Sequence, residues 1–196
     1  HEYVIRDIRA QTAASHVGAA QVQRMLEEYR LDSLDDLADE IIARSEKSVR
    51  SAIEQVPDGV YRAEGVIEQM EGQKDINIKA AVEIKGSDIS VDLAGSSPQV
   101  SWGGNVVYNF TFAYVHMAIK SIFDPDIPNN HGSVAVIKLD APEGSVVNCR
   151  FPAAVAARMQ IGHFMAEIIY RALAQALPHR VIASSGGTPA TMNVFY

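Results

Sequence analysis

The stretch Ile76-Asn77-Ile78-Lys79-Ala80-Ala81-Val82-Glu83-Ile84-Lys85-Gly86-Ser87-Asp88-Ile89-Ser90-Val91-Asp92-Leu93 fixes the first element of the fold. Ile76, Ile78, Ala80, Val82 and Ile84 recur every second residue, the period of a strand with one apolar and one wet face. Lys85-Gly86-Ser87-Asp88 is turn chemistry, and Ile89, Val91 and Leu93 resume the alternation beyond it. Two alternating runs about a short glycine-containing turn predict an antiparallel hairpin, half exposed to water. Upstream, Val60 to Ile67 reads as a further strand, joined to the hairpin by a polar link at Glu71 to Lys74.

The residues before the sheet carry a different period. From Asp7 to Tyr29, Ala10, Ala13, Ala14, Val17, Ala19, Ala20, Met25 and Leu26 recur at helical spacing with an alanine-rich face that a partner helix can approach closely. Ser33 then opens a second helix as a capping residue, with Asp36 where a capping box would place glutamate. Leu34, Leu37, Ala38, Ile41, Ile42, Val49 and Ile53 form its apolar stripe, Glu46, Lys47 and Arg50 belong to its wet face, and Pro57-Asp58-Gly59 ends it. Residues 1–56 are thus expected to form a helical hairpin and 57–196 an α+β portion.

After Gly95-Ser96-Ser97-Pro98 breaks the sheet, Asn105 to Phe123 reads as a buried helix. Asp124-Pro125-Asp126-Ile127-Pro128-Asn129-Asn130-His131-Gly132 follows; two prolines make it a shaped loop rather than a continuing helix. Strands are expected at Val134 to Leu139 and at Val146-Val147, then a long helix from Ala153 to Leu177, a short strand at Val181 to Ala183 and a loop-like close. Helix pairs and antiparallel hairpins in blocks, without regular alternation, indicate an α+β fold with two long buried helices.

Composition narrows the function. The 196 residues are 47% apolar with a formal charge of −7, and no run of Lys or Arg provides a grip on nucleic acid. The most apolar segment, Asn105 to Ile122, contains two asparagines, a histidine and a lysine and is short for a membrane span. Cys149 is the single cysteine, which leaves no internal disulfide and points to a reducing, cytoplasmic setting. The start carries neither an initiator methionine nor a signal-peptide pattern, as in a piece of a longer chain.

No metal-binding motif is seen: the histidines show no HExxH or Cys/His ligand spacing. Gly95-Ser96-Ser97-Pro98 lacks the glycine spacing and lysine of a phosphate loop, and no GxSxG elbow supports Ser96-Ser97 or Ser184-Ser185 as nucleophiles. His116 and His163 lie on apolar helices, where a satisfied core or rim histidine is commoner than an acid or base. In the proline-fixed loop, Asn129 and Asn130 offer amide donors and acceptors and Gly132 permits close backbone approach. Lining a polar pocket and merely capping nearby backbone are both open to these residues.

Six stretches together resemble one family: DIRAQTAASHVGAAQVQRMLEEY (7–29), VDLAGSSPQV (91–100), DPDIPNNHGS (124–133), DAPEGSVVN (140–148), FPAAVAAR (151–158) and ALAQALPHRVIASSGGT (172–188). In order and approximate spacing they are similar to the hydantoinase B/oxoprolinase family, related to acetone and acetophenone carboxylase subunits. The resemblance implies a central fragment of a larger subunit working with a hydantoinase A-type partner that binds ATP and Mg. Such pairs open cyclic amides, including 5-oxoproline and hydantoins, by phosphorylating an amide oxygen; relatives carboxylate ketones with metal motifs upstream of this region. The segment Ala157 to Phe164, ARMQIGHF, departs from the family's usual Asn, Thr and Ser content. Asn129, Asn130 and His131 are the expected pocket-lining groups for a small-molecule substrate, followed by Ser96, Ser97, Asn105 and Arg158. The rival expectation is a scaffold or interface segment of a hetero-oligomer, with its catalytic groups elsewhere.

Overall fold

A computed structural model describes residues 1–69 and 74–183. Most of the polar link at 71–74 and the closing segment 184–196, with Ser184 and Ser185, lie outside the described residues. The chain divides into two compact units, His1–Ile41 and Ile42–Tyr196.

The first unit holds helix α1 (Glu2–Tyr29) and the first turns of α2 (Asp35–Ile53). No residue of α1 is buried within this chain; Ile8 and Val17 are more than half exposed. Arg30 ends the helix in the left-handed region, φ 54°, which lets the Leu31 amide reach back to Leu26 O (2.9 Å). Ser33 opens α2, but Ser33 Oγ accepts from the amide of Asp35 rather than Asp36 (3.1 Å). Only the later part of α2 enters a core, through Ser45, Val49 and Ile53.

The second unit is α+β. Its sheet runs β1 (Gly59–Ile67), β2 (Ile76–Lys85), β3 (Asp88–Asp92), β4 (Ile137–Asp140) in spatial as in chain order. The first three strands are antiparallel, with Lys85 opposite Asp88 across a two-residue turn whose first member, Gly86, has φ +59°. The expected apolar set of β2, Ile76, Ile78, Ala80, Val82 and Ile84, is at most 4% exposed, and Ile89, Val91 and Leu93 continue it. Burying a large aliphatic side chain contributes about 1.5–3 kcal/mol, so this alternating row fixes the register of the hairpin. Helices α3 (Tyr108–Phe123) and α5 (Arg158–Leu173) complete the core through Val115, Ile119, Met165, Ile169 and Leu173.

Beyond α3 the details depart from the sequence expectation. The strand expected from Val134 begins at Ile137, because His131–Ala135 form a short helix α4; β4 then runs parallel to β3. Val146 and Val147 are fully buried yet lie in turns rather than a strand. The last helix begins at Arg158 rather than Ala153 and ends at Leu173, and Val181 to Ala183 form no strand.

Arg50 ties α2 to the β2–β3 turn. It bonds Asp88 Oδ1 at 2.7 Å, Glu46 Oε1 at 2.8 Å and the Ser87 carbonyl at 3.3 Å. These contacts, Asp88 first, hold the guanidinium above its ordinary pKa and hold the Asp88 carboxyl below its own.

Candidate functional site

The loop after α3 is shaped from its own residues. Asp124 terminates the helix in a non-helical conformation (φ −152°), and Lys120, only 8% exposed, turns its ammonium to the Asp124 carbonyl at 2.7 Å. Among the described residues, Asp124 Oδ2 is buried without a hydrogen-bond partner. Asn130 then starts α4: Oδ1 accepts from the Gly132 amide (2.9 Å), while Ser133 Oγ returns to the Asn130 amide (3.4 Å), a capping box. Nδ2 of Asn130 donates to Ser45 Oγ of α2 at 2.7 Å. A side chain on Gly132 would stand 2.0 Å from the Ile42 carbonyl oxygen, so α4 lies against the α2 backbone only because this residue is glycine.

Between α3 and this loop lies a cleft of about 380 Å³ lined by His116, Met117, Lys120, Ser121, Pro125 and Asn129, with Ala113 at its side. Its volume falls in the range of small-molecule sites. His116 Nε2 is 3.4 Å from Ser133 Oγ, and that hydroxyl gives its one proton to the Asn130 carbonyl (2.9 Å). The contact to His116 therefore uses Nε2–H as donor, which leaves Nδ1 as the acceptor of the neutral ring. Burial, and then the nearby Lys120 charge, push the His116 pKa below its ordinary value. The imidazole is thus neutral near pH 7 and suited to accept a proton, beside an ammonium suited to an anionic oxygen.

The residues singled out in the sequence take several positions. Asn129 is exposed on the cleft wall, Asn130 is engaged as a cap, and His131 is exposed on the first turn of α4. Ser96 and Ser97 sit beside β2, where β3 has already ended. Ser97 Oγ accepts from Asn77 N (2.9 Å) and Ser96 Oγ from Lys79 N (3.1 Å), so the hydroxyls continue the missing strand ladder.

Asn105 is fully buried; it accepts from Val100 N (2.7 Å) and donates to the carbonyls of Val100, Trp102 and Ala154 (2.9, 3.0 and 2.9 Å). Arg158 starts α5 with its guanidinium 5.4 Å from the centre of the Phe110 ring and bonded to Val155 O. Asn105 and Arg158 share one loop layer, where the Ala157 amide also meets the Gly103 carbonyl (2.8 Å). Among the described residues no hydrogen bond joins that layer to Asn129, Asn130 or His131.

The sequence does not single out His116, Lys120 and Ser121 as site residues. A histidine and a lysine four residues apart on one helix, immediately before a proline-fixed loop, are the signal that marks them. No three His, Cys, Asp or Glu side chains stand together as a metal site among the described residues.

Similarity to known proteins joins this geometry to a family. The model of the family described as Hydantoinase B/oxoprolinase matches residues 1–195. The B subunit of a "Putative D-/L-hydantoinase" from Pseudomonas sp. (strain NS671) is 35% identical over 195 residues, covering 93% of this chain and 33% of that protein. The beta subunit of the caprolactamase from Pseudomonas jessenii is 29% identical, covering 92% of this chain and 31% of that protein. The chain therefore spans about a third of the length of these relatives.

The crystal structure of the ATP-dependent caprolactamase from Pseudomonas jessenii superposes with a TM-score of 0.84 at 28% identity, over 92% of this chain and 32% of that one. The nucleotide-free structure of acetone carboxylase shares the fold, with a TM-score of 0.68 at 15% identity over 81% of this chain and 23% of that one. With the 124–133 loop, the serine-completed sheet and the Asn105 layer all inside the matched region, the chain belongs to the hydantoinase B/oxoprolinase family.

Proposed function

We propose that this chain is part of the B-type subunit of an ATP-dependent cyclic-amide hydrolase acting with an A-type, ATP-binding partner in a cytoplasmic hetero-oligomer. The observation that carries this reading is the match to ATP-dependent caprolactamase across 92% of the chain at a TM-score of 0.84. The resemblance to acetone carboxylase rests on fold alone, at 15% identity, and gives the ketone-carboxylating alternative less support. No helix among the described residues is long and apolar enough to cross a membrane.

The Gly95–Pro98 stretch does not fit the phosphates of a nucleotide. The hydroxyls of Ser96 and Ser97 are engaged by the β2 backbone, so the Gly95–Pro98 stretch has no free cradle for phosphates. ATP with Mg is assigned in this reading to the A-type partner. In this reading the partner transfers the terminal phosphoryl group to the amide oxygen and releases ADP. Water then adds to the activated carbon, the ring nitrogen takes up a proton and leaves as the amine to give an acyl phosphate, and a second water releases the carboxylate and inorganic phosphate.

The α3 cleft is this chain's contribution to the second half. Neutral His116 would take a proton from water, and Lys120 and Asn129 would hold developing negative charge. A narrower reading also has support: Asn105, Asn130, Ser96 and Ser97 are all bonded to backbone or to a neighbouring helix, as scaffold residues are.

The test combines the subunit containing this chain with an A-type partner, supplies ATP and a lactam or hydantoin, and follows ADP and ring-opened product together. Equal release of ADP and product, lost without ATP, is the expected result. Ring opening without ATP, or carboxylation of a ketone with no amide hydrolysis, would overturn the reading.

A further inference from the structure

Away from the α3 cleft, a larger cavity of about 580 Å³ opens on the wet face and free edge of the sheet. Its floor is small: Ala81 and Ala94 line it, bordered by Ala63 and Ala80, whose side chains the strand alternation turns to the core face. The strand register decides what stands around that floor. Arg62 pairs with Ala81 and Ala81 with Asp92, so one row across three strands reads cation, methyl, anion. With neighbouring strands about 4.8 Å apart, the Arg62 and Asp92 backbones are about 10 Å apart, separated by the lowest side chain that still has a Cβ.

The adjacent row is occupied differently. Glu64 faces Lys79 directly and pairs with it at 3.2 Å, so these two charges satisfy each other. Among the described residues Arg62 forms no ion pair, and neither does Arg171, which lines the same cavity from α5. Gln175, one turn after Arg171, donates to the Arg62 carbonyl at 2.7 Å and thereby holds the end of α5 against β1. The Asp92 carboxylate accepts the Ala94 amide through Oδ1 (2.8 Å), which fixes its orientation and leaves Oδ2 for a further donor.

We propose that this cavity binds a short amino acid in its zwitterionic form, the carboxylate received by Arg62 and Arg171 and the ammonium by Asp92, with the chain between them lying over Ala81. Two unpaired guanidiniums suit a carboxylate, which they can bind through parallel N–H donors. A single carboxylate across a methyl-lined gap suits an ammonium better than a second anion. Opening a lactam yields a molecule of this kind, so the ligand class rests in part on the function proposed above, whereas the site itself rests on the register and the charges.

The test is titration of the purified subunit that contains this chain, without ATP or A-type partner, with 6-aminohexanoate, hexanoate and hexylamine, followed by calorimetry and by amide chemical shifts on β1, β2 and β3. The expected order is 6-aminohexanoate tightest. Arg62→Gln or Arg171→Gln weakens both carboxylates by about tenfold, and Asp92→Asn weakens 6-aminohexanoate about tenfold while leaving hexanoate unchanged.

Equal binding of hexanoate and 6-aminohexanoate, insensitivity to all three substitutions, or shifts confined to α3 would overturn the proposal, as would absence of binding by all three compounds. All three substituted residues are exposed, and Arg171 tests the carboxylate end independently of the β1 register. Since no turnover is measured, a negative result leaves the ring-opening reading standing, and failed turnover leaves this site standing.

Discussion

Asn130 Nδ2 stands 2.7 Å from Ser45 Oγ, 85 residues earlier in the chain, and this bond joins the start of α4 to the buried face of α2. The same side chain caps α4 through Oδ1, so the residue performs two separable tasks. Asn130→Asp keeps the cap and loses the donor, and should cost about 1 kcal/mol. Asn130→Ala loses both and should cost about 2 kcal/mol. Urea unfolding of the two variants separates the tasks: their difference is the share of the cap, and an Asn130→Asp variant as stable as the parent would show that the bond to Ser45 contributes nothing.

Gly132→Ala sets two effects against each other. Alanine is favoured over glycine inside a helix by about 1 kcal/mol, and Gly132 is a helical residue. Its Cβ, however, would lie 2.0 Å from Ile42 O and 2.9 Å from Glu46 N, both backbone atoms that cannot rotate away. The clash should win, with a net loss of about 3 kcal/mol or more in unfolding free energy. A neutral or stabilising result would mean that α4 does not sit this close to α2.

Asn105 is fully buried and satisfies one amide and three carbonyls of Val100, Trp102 and Ala154. Asn105→Ala leaves all of these without that partner, and buried polar groups cost about 1–3 kcal/mol each, so a loss of about 4 kcal/mol is expected. Asn105→Asp should be no better, because it keeps the acceptor for Val100 N but places a carboxylate against three carbonyl oxygens. Thermal unfolding of both variants checks this, and a milder aspartate would contradict the donor assignment.

These contacts also explain what can be read in the sequence. The β2–β3 hairpin is legible because its signal is local: every second residue is apolar and the turn lies between the two runs. The Asn130 loop is recognisable as shaped, yet its partner, Ser45, is remote and carries no pattern pointing to it. Val146 and Val147 resemble a strand because they are buried, but Ser97 and Val106 hold that region through scattered backbone bonds, and the Thr111 hydroxyl holds the Val147 carbonyl, instead of a ladder. Ser96 and Ser97 look available for a ligand because nothing local shows that β3 stops at Asp92, leaving the earlier amides of β2 for the hydroxyls to satisfy. The apolar residues of α1 indicate the right helix but not that this chain leaves them uncovered.

His116 supplies a prediction that separates stability from chemistry. Its folded-state pKa lies below the ordinary histidine value, chiefly through burial, so the unfolded chain takes up the proton more readily. Stability is therefore complete above the unfolded pKa of about 6.5 and falls as pH drops from there towards the folded pKa. His116→Gln should remove this part of the slope: urea midpoints at pH 7.5 and 5.5 should lie closer together in the variant than in the parent.

If the imidazole also accepts a proton from water in ring opening, the same variant in the assembled complex should lose about a hundredfold or more in kcat, consistent with loss of a general base. The parent's kcat should rise with pH through the His116 pKa, and the variant should lose that limb. A variant that flattens the stability profile while retaining full activity would confine His116 to the structural contact with Ser133 and remove it from the mechanism.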